Sequence, residues 1–182
     1  SFLQIGQNEI GYLARDPALL SDDSVELIAR LSIGIKNIPY FKQLLIVNPD
    51  GEIIAGYNIS PFANAQTNMR ERLGIELAFG GFLAPQSYAI DPSEGEKMAR
   101  ISFITPILDP DNQIKRVLVG RTSLDTNPYS QPILSILQDL SDEKNVGILV
   151  DDELNILIHP DPQKVMTIYT GGVILIIPWM WL

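Results

Sequence analysis

The sequence predicts an α+β protein in which a long helical N-terminal segment is followed by an antiparallel sheet module. Apolar residues recur at three- and four-residue steps through residues 4–38, and dense apolar runs separated by short polar turns follow Pro39. With 182 residues, of which 46% are hydrophobic and 19% charged, the chain is large enough to bury a core. We therefore expect one globular domain or two small linked ones.

The composition excludes several classes of function. A formal net charge of −9 disfavours attraction to nucleic-acid phosphates or anionic lipid surfaces. Cysteine is absent and the single histidine is His159, which rules out thiolate catalysis, disulfides and His/Cys metal cages. A metal ion could therefore bind only through oxygen ligands. We predict no cofactor, no metal site and no nucleic-acid partner.

The N-terminal segment predicts two helices or one kinked helix. Asp16-Pro17 breaks the apolar pattern, and the polar residues from Ser21 to Ser24 supply N-cap oxygens for the second helix. The apolar stripe has to be covered either by the sheet or by the same helix of a second copy, so dimerisation through this segment is an expectation. Two later helices are predicted over residues 62–79, ended by Gly80-Gly81, and over residues 130–140.

Three units of strand, acidic turn and strand follow the first helices. Their turns have the sequences Asn48-Pro49-Asp50-Gly51, Asp109-Pro110-Asp111-Asn112 and Asp151-Asp152-Glu153. The first and third units align best, which suits a duplicated domain. A calcium loop is the alternative interpretation, but Ile114 and Gly120 stand where the loop starting at Asp109 would need Gly and Glu. Solvated hairpin turns are the better interpretation.

A small hydrolase using His159 as its base is a further alternative. His159 ends an apolar run and precedes Pro160-Asp161-Pro162, a setting typical of a turn histidine. The chain has no Gly-x-Ser-x-Gly elbow, dinucleotide fingerprint or P-loop. The sequence therefore predicts a protein that is not an enzyme.

Polar and aromatic residues among the predicted strands are candidates for a small-molecule pocket. They are Tyr57, Arg70, Arg72, Tyr88, Asp91, Arg100, Ser102 and Arg121. Arg121 is the most informative, because it shares a strand face with Val117 and Val119. Its guanidinium therefore either forms a salt bridge at the rim of the sheet or meets an anion.

The order of these segments resembles the double Cache family of PAS-like sensor domains. The resemblance lies in the run from Ile38 to Ala55, in Ile101-Ser102-Phe103-Ile104-Thr105-Pro106-Ile107-Leu108-Asp109 and in Val117-Leu118-Val119-Gly120-Arg121. Gly147-Ile148-Leu149-Val150-Asp151-Asp152 and the following Ile156-Leu157-Ile158-His159 look like the opening of that family's membrane-proximal module. The resemblance implies an N-terminal helical segment over residues 1–38, a membrane-distal module over 39–140 and a partial proximal module over 145–182.

The family resemblance also implies a function. Such a domain lies outside the cytoplasm in a bacterial transmembrane receptor of the histidine kinase, cyclase or chemotaxis type. It binds a small molecule in the distal module and transmits a conformational shift to the membrane. Between His159 and Gly172 the family holds several more strands, so the proximal module looks incomplete here. The run from Gly172 to Pro178 resembles the family's last proximal strand, and its residues predict a buried strand from Val173 to Ile177 that is stopped by Pro178.

The family's amino-acid-binding members carry Tyr-x-x-x-Arg-x-Trp-Tyr, and here Arg70 falls at the Arg position. Gln66, Arg72 and Leu73 replace the three aromatic residues, and Arg121 stands about where an Asp would receive the ligand amine. Two arginines without a matching acid favour a carboxylate or another anion over an amino acid. The expected ligand-binding residues are Arg70, Tyr88, Asp91, Ser102, Arg121 and Tyr57; the alternative is a ligand-free dimerisation module.

Overall fold

A computed structural model of the chain describes residues 1–59, 67–142 and 145–171. The N-terminal segment forms helix α1 (Phe2–Leu13), a 3-10 turn at Pro17–Leu20 and helix α2 (Ser24–Asn37). Asp16 caps the 3-10 turn by accepting a hydrogen bond from the Ala18 amide, and Asp23 caps α2 in the same way. The break predicted at Asp16-Pro17 is confirmed.

The described strands form two antiparallel arrangements. Their bounds are β1 (Gln43–Val47), β2 (Ile53–Tyr57), β3 (Gln86–Ile90), β4 (Arg100–Leu108), β5 (Ile114–Ser123), β6 (Leu149–Val150) and β7 (Ile156–Ile158). The first five form one sheet in the order β2-β1-β5-β4-β3, and β6 pairs with β7. Helices α3 (Met69–Phe79) and α4 (Gln131–Asp139) complete the described elements. The predicted α+β class is confirmed.

Two helices predicted from the sequence begin later than expected, and one strand was missed. Helix α3 begins at Met69 because Asn68 forms a capping box with Glu71. Residues 62–66 of the predicted helix lie outside the described part of the chain. Helix α4 spans Gln131–Asp139, close to its predicted bounds. Strand β3 had no clear alternation in the sequence. The strand predicted at residues 173–177 lies outside the described residues.

The chain divides into two compact units. One contains Ile5–Tyr88 and Ser102–Thr122; the other contains Ser1–Gln4, Ala89–Ile101 and Ser123–Leu182. Within the second unit, the Ala99 amide donates to the Leu157 carbonyl at 2.9 Å. The domain boundaries expected from the sequence stay a prediction. None of the helices described in the structure has the length and apolar character needed to cross a bilayer.

The main sheet is covered by helices on both sides. Val117 and Val119 of β5 belong to a buried cluster that also contains Ile75 and Ala78 of α3, and we call this side the α3 face. Gly120, next to Val119, faces the other side of the sheet, because a Cβ built on it would lie 2.8 Å from atoms of Ile10 in α1 and of Phe41. We call that side the α1 face.

Helix α1 approaches its face of the sheet closely because residue 6 is glycine. Tyr40, Phe41 and Phe103 stack edge to face there, with ring centroids 5.0 to 5.7 Å apart. A Cβ on Gly6 would lie only 2.3 Å from the Phe103 ring. The helix can therefore reach the aromatic cluster only without a side chain at this position.

We expect Gly6→Ala to destabilise the fold by about 1–3 kcal/mol, because the added methyl overpacks the aromatic cluster. Gly11→Ala is the matched control in the same helix, since its Cβ would meet Pro85 at an ordinary 3.7 Å. The control should gain about 0.5–1 kcal/mol from helix propensity. Urea unfolding measures both variants; equal gains in stability would show that the ring cluster moves aside without cost.

All three predicted hairpins share one turn geometry. The side-chain oxygen of the first turn residue accepts the amides two and four positions on, for Asn48, Asp109 and Asp151 alike. The fourth residue has a positive φ in each turn: 82° at Gly51, 59° at Asn112 and 65° at Leu154. These caps confirm the predicted turns and leave Leu154 in a conformation that costs a leucine about 1–2 kcal/mol.

We expect Leu154→Asn to stabilise the chain by about 1 kcal/mol, because asparagine tolerates the left-handed conformation. The reciprocal change, Asn112→Leu, should destabilise it by about the same amount. Thermal or urea unfolding of the two variants measures both effects. If both variants change the free energy of unfolding in the same direction, packing rather than backbone conformation determines which residue is favoured at this turn position.

Candidate functional site

A buried ion pair joins helix α3 to the central strand β5. Arg121 Nε donates to Glu71 Oε1 and Arg121 Nη2 donates to Glu71 Oε2, each at 2.7 Å. The two side chains are 2% and 0% exposed. This bidentate geometry is the strongest that a guanidinium and a carboxylate form, and burial shields it from solvent screening.

Glu71 also helps to begin helix α3. Its Oε2 accepts a hydrogen bond from the Asn68 amide at 2.8 Å, which completes the capping box. One carboxylate thus caps the helix and pairs with Arg121. The sequence contains a signal for this role, since Asn68 and Glu71 have the spacing of a capping box.

Arg121 retains hydrogen-bonding capacity beyond this pair. Gln43 lies opposite it in the pairing of β1 with β5, and Arg121 Nη1 donates to Gln43 Oε1 at a long 3.4 Å. A guanidinium has five N–H donors, of which three are used in these contacts. The other two find no acceptor in the described part of the chain.

Ser102 presents a buried hydroxyl on the same face. It lies two residues from Ile104, a member of the α3-face cluster, so the two side chains point the same way. Ser102 is 0% exposed, and its Oγ has no hydrogen-bond partner among residues 1–59, 67–142 and 145–171. Most buried polar groups are satisfied, so an unpartnered one indicates a water or ligand position.

The strand register places Ser102 beside Arg121. The Leu124 amide donates to the Ala99 carbonyl, which sets these two residues opposite each other at the start of the β4–β5 pairing. Counting three residues along each antiparallel strand brings Ser102 opposite Arg121. The unpartnered hydroxyl and the guanidinium with spare donors are therefore cross-strand neighbours.

Tyr88 lies on β3 and packs against the middle of α3. A Cβ on Gly74 would lie 2.5 Å from the Tyr88 ring, so this glycine permits the contact. The Tyr88 hydroxyl donates to Gln86 Oε1, and Gln86 Nε2 donates to the Gly74 carbonyl at 2.9 Å. Burial raises the pKa of the Tyr88 phenol, which keeps it neutral.

The structure brings together only some of the predicted ligand-binding residues. Arg70 is half-buried in the first turn of α3, beside Glu71. Tyr57 pairs with Leu44, whose other partner is Gly120, so Tyr57 lies on the α1 face, away from Arg121. Asp91 is exposed and belongs to the other compact unit, where its carbonyl accepts a hydrogen bond from Arg100 Nε.

The premise that Arg121 has no matching acid is wrong. Glu71 is that acid, and the pair lies within the buried α3 face rather than at the rim of the sheet. The two residues are 50 positions apart, on different elements, so no local pattern in the sequence joins them. Because the pair is neutral overall, the argument from Arg121 for an anionic ligand no longer holds.

The other sequence-based alternatives also have local explanations. His159 Nδ1 accepts the Asp161 amide at 2.9 Å, which is a turn contact. No group of three or more potential metal ligands occurs within the described ranges. In the acidic turns, the oxygens of Asp109 and Asp151 accept backbone amides, as expected for turn caps.

We expect Glu71→Leu or Arg121→Leu alone to destabilise the chain by about 3–5 kcal/mol, because each leaves a buried group without its partner. The double variant should lose clearly less than both single losses combined, since no buried charge remains. Urea unfolding of the four proteins completes the cycle. Additive losses would contradict a coupled pair. Arg30→Ala, which removes an exposed ion pair with Asp16, is the control and should change stability little.

The comparisons with known proteins concern the fold. No protein-family model and no curated protein matches the chain. Among solved structures, the ligand-binding domain of the Pseudomonas aeruginosa PAO1 amino acid chemoreceptor PctC, in complex with GABA, is similar over 97% of this chain and 78% of its own, at 20% identity and a TM-score of 0.69.

Two further structures show the same likeness. The ligand-binding domain of the Pseudomonas fluorescens chemoreceptor CtaA, in complex with L-isoleucine, matches over 91% of this chain at 19% identity and a TM-score of 0.58. The sensor domain of the V. cholerae histidine kinase DctB matches over 94% at 14% identity and a TM-score of 0.66. The chain spans 64% of each of these two domains. It thus has the fold of receptor ligand-binding and sensor domains, which confirms the resemblance at the level of fold.

Proposed function

We propose that this chain is the small-molecule-sensing domain of a transmembrane signalling receptor and acts outside the cytoplasm. The observation that carries the proposal is the likeness of 97% of the chain to a chemoreceptor ligand-binding domain, with a TM-score of 0.69. In this proposal the domain senses a ligand and does not catalyse a reaction. Its output domain would be of the histidine kinase, cyclase or chemotaxis type implied by the sequence resemblance.

The chemistry of the α3 face supports a binding role. A purely structural face would be expected to be apolar, because buried polar groups cost free energy unless they are satisfied. The apolar cluster instead shares this face with the Arg121–Glu71 pair and the unpartnered hydroxyl of Ser102. A ligand that forms hydrogen bonds with these buried groups would offset the free-energy cost of burying them.

The proposed ligand site comprises Ser102, Arg121, Tyr88 and Arg70. The first two present hydrogen-bonding groups on adjacent strands, and the other two lie where β3 and α3 meet the same face. Tyr57 and Asp91 are left out, because Tyr57 lies on the α1 face and Asp91 in the other unit.

Signal transmission would follow from the elements that hold the site. Arg121 belongs to β5 and Glu71 to α3, so a ligand bound to Arg121 changes the free energy of the contact between sheet and helix. A molecule with different affinities for two arrangements of α3 shifts the population between them.

Exposed apolar side chains on α2 (Val25, Ile28 and Ile33) support the expected homodimer through the N-terminal helices.

A thermal-denaturation screen against amino acids, carboxylates, sugars and nucleobases tests the proposal. A ligand at about 100 times its Kd should add about 2.7 kcal/mol to the free energy of unfolding, a shift of several degrees. Ser102→Leu, which fills the proposed position, should abolish the shift, and the exposed Lys36→Gln should keep it. A screen without any shift would favour the ligand-free module instead.

A further inference from the structure

The charge balance beside Ser102 restricts what can bind there. Arg121 and Glu71 neutralise each other, and both are buried. A third charge brought to this position would lose its hydration without gaining a counter-charge from the pair.

The geometry of the pair disfavours each charged group for a separate reason. A carboxylate could accept from the two remaining N–H groups of Arg121, but it would then lie beside the buried Glu71 carboxylate, and two negative charges would share one guanidinium. An ammonium group would find little free acceptor capacity on Glu71, because three of the about four lone-pair positions of this carboxylate already accept hydrogen bonds. It would also face the positive guanidinium of Arg121.

The free hydrogen-bonding capacity fits an uncharged polar group. Arg121 offers two N–H donors, and the Ser102 hydroxyl can both donate and accept. A carbonyl oxygen can accept from both residues. A hydroxyl can accept from Arg121 and donate to Ser102. Either group satisfies the buried atoms while leaving the ion pair intact.

We infer that the sensed molecule places an uncharged carbonyl or hydroxyl group between Ser102 and Arg121, and that it is a neutral polar compound. This inference rests on the proposed function and names its ligand class. It differs from the sequence-based expectation of an anion, because Glu71 supplies the acid that the expectation lacked.

Two serine variants separate binding from stability. Ser102→Ala removes a hydroxyl that makes no hydrogen bond in the described structure, so the melting temperature of the free chain should stay the same or rise. Ser130→Ala is the control, since its equally buried hydroxyl donates to the Leu124 carbonyl at 2.7 Å. The control should lower the melting temperature and leave the affinity unchanged.

The probes are D-glucose, myo-inositol, acetamide and uracil as uncharged compounds; acetate, succinate and inorganic phosphate as anions; L-isoleucine and GABA as zwitterions; and putrescine as a cation. Calorimetry should detect binding only among the uncharged probes. Ser102→Ala should weaken the affinity for these probes about tenfold, which corresponds to the loss of about one hydrogen bond.

Each other result has a distinct meaning. Binding of an anion, a zwitterion or putrescine would support the sensing function and overturn the inferred ligand class. Binding of an uncharged probe with the same affinity to Ser102→Ala would overturn the inferred position. Binding of no probe here and of no compound in the wider screen would overturn the sensing function itself, and the inference with it.

Discussion

The contact between Arg121 and Glu71 is the constraint on which the α3 side of the sheet depends. It fixes the first turn of α3 over β5 and at the same time completes the cap of that helix. Removing Glu71 would therefore disturb both the helix start and the helix position, whereas removing Arg121 would disturb the helix position alone. Such a pair is a poor source of net stability, because desolvation offsets its attraction, but it specifies one arrangement of helix and sheet.

The two sides of the sheet have different chemistry. The α1 face is packed by aromatic rings against a helix that approaches at a glycine, which leaves little freedom to rearrange. The α3 face combines apolar packing with buried polar groups, one of which, the Ser102 hydroxyl, has no hydrogen-bond partner among the described residues. A ligand-dependent change is therefore easier to accommodate on the α3 face, where completing a hydrogen bond can offset the cost of moving side chains.

Local signals in the sequence sufficed for much of the fold. The helix break at Asp16, the cap at Asp23 and the three turns each depend on residues within four positions of one another, and all were predicted. The site was harder, because Glu71 and Arg121 meet only through the packing of α3 on the sheet. The placement of Tyr57 on the α1 face likewise depends on how β2 pairs with β1. The alternation of residues within β2 alone does not show which side of the sheet Tyr57 faces.

The three turns share one geometry, so the loop of one hairpin has the conformation that the other two hairpins require. Each uses the same capping oxygen and the same left-handed fourth residue. In the first and third hairpins a shift of register lies just before the turn, between Ile46 and Val47 and between Leu149 and Val150. A five-residue loop carries this whole pattern within itself. The hairpins could thus exchange loops while their strands keep their pairing, so sequence change at these tips is separable from the buried chemistry of the sheet.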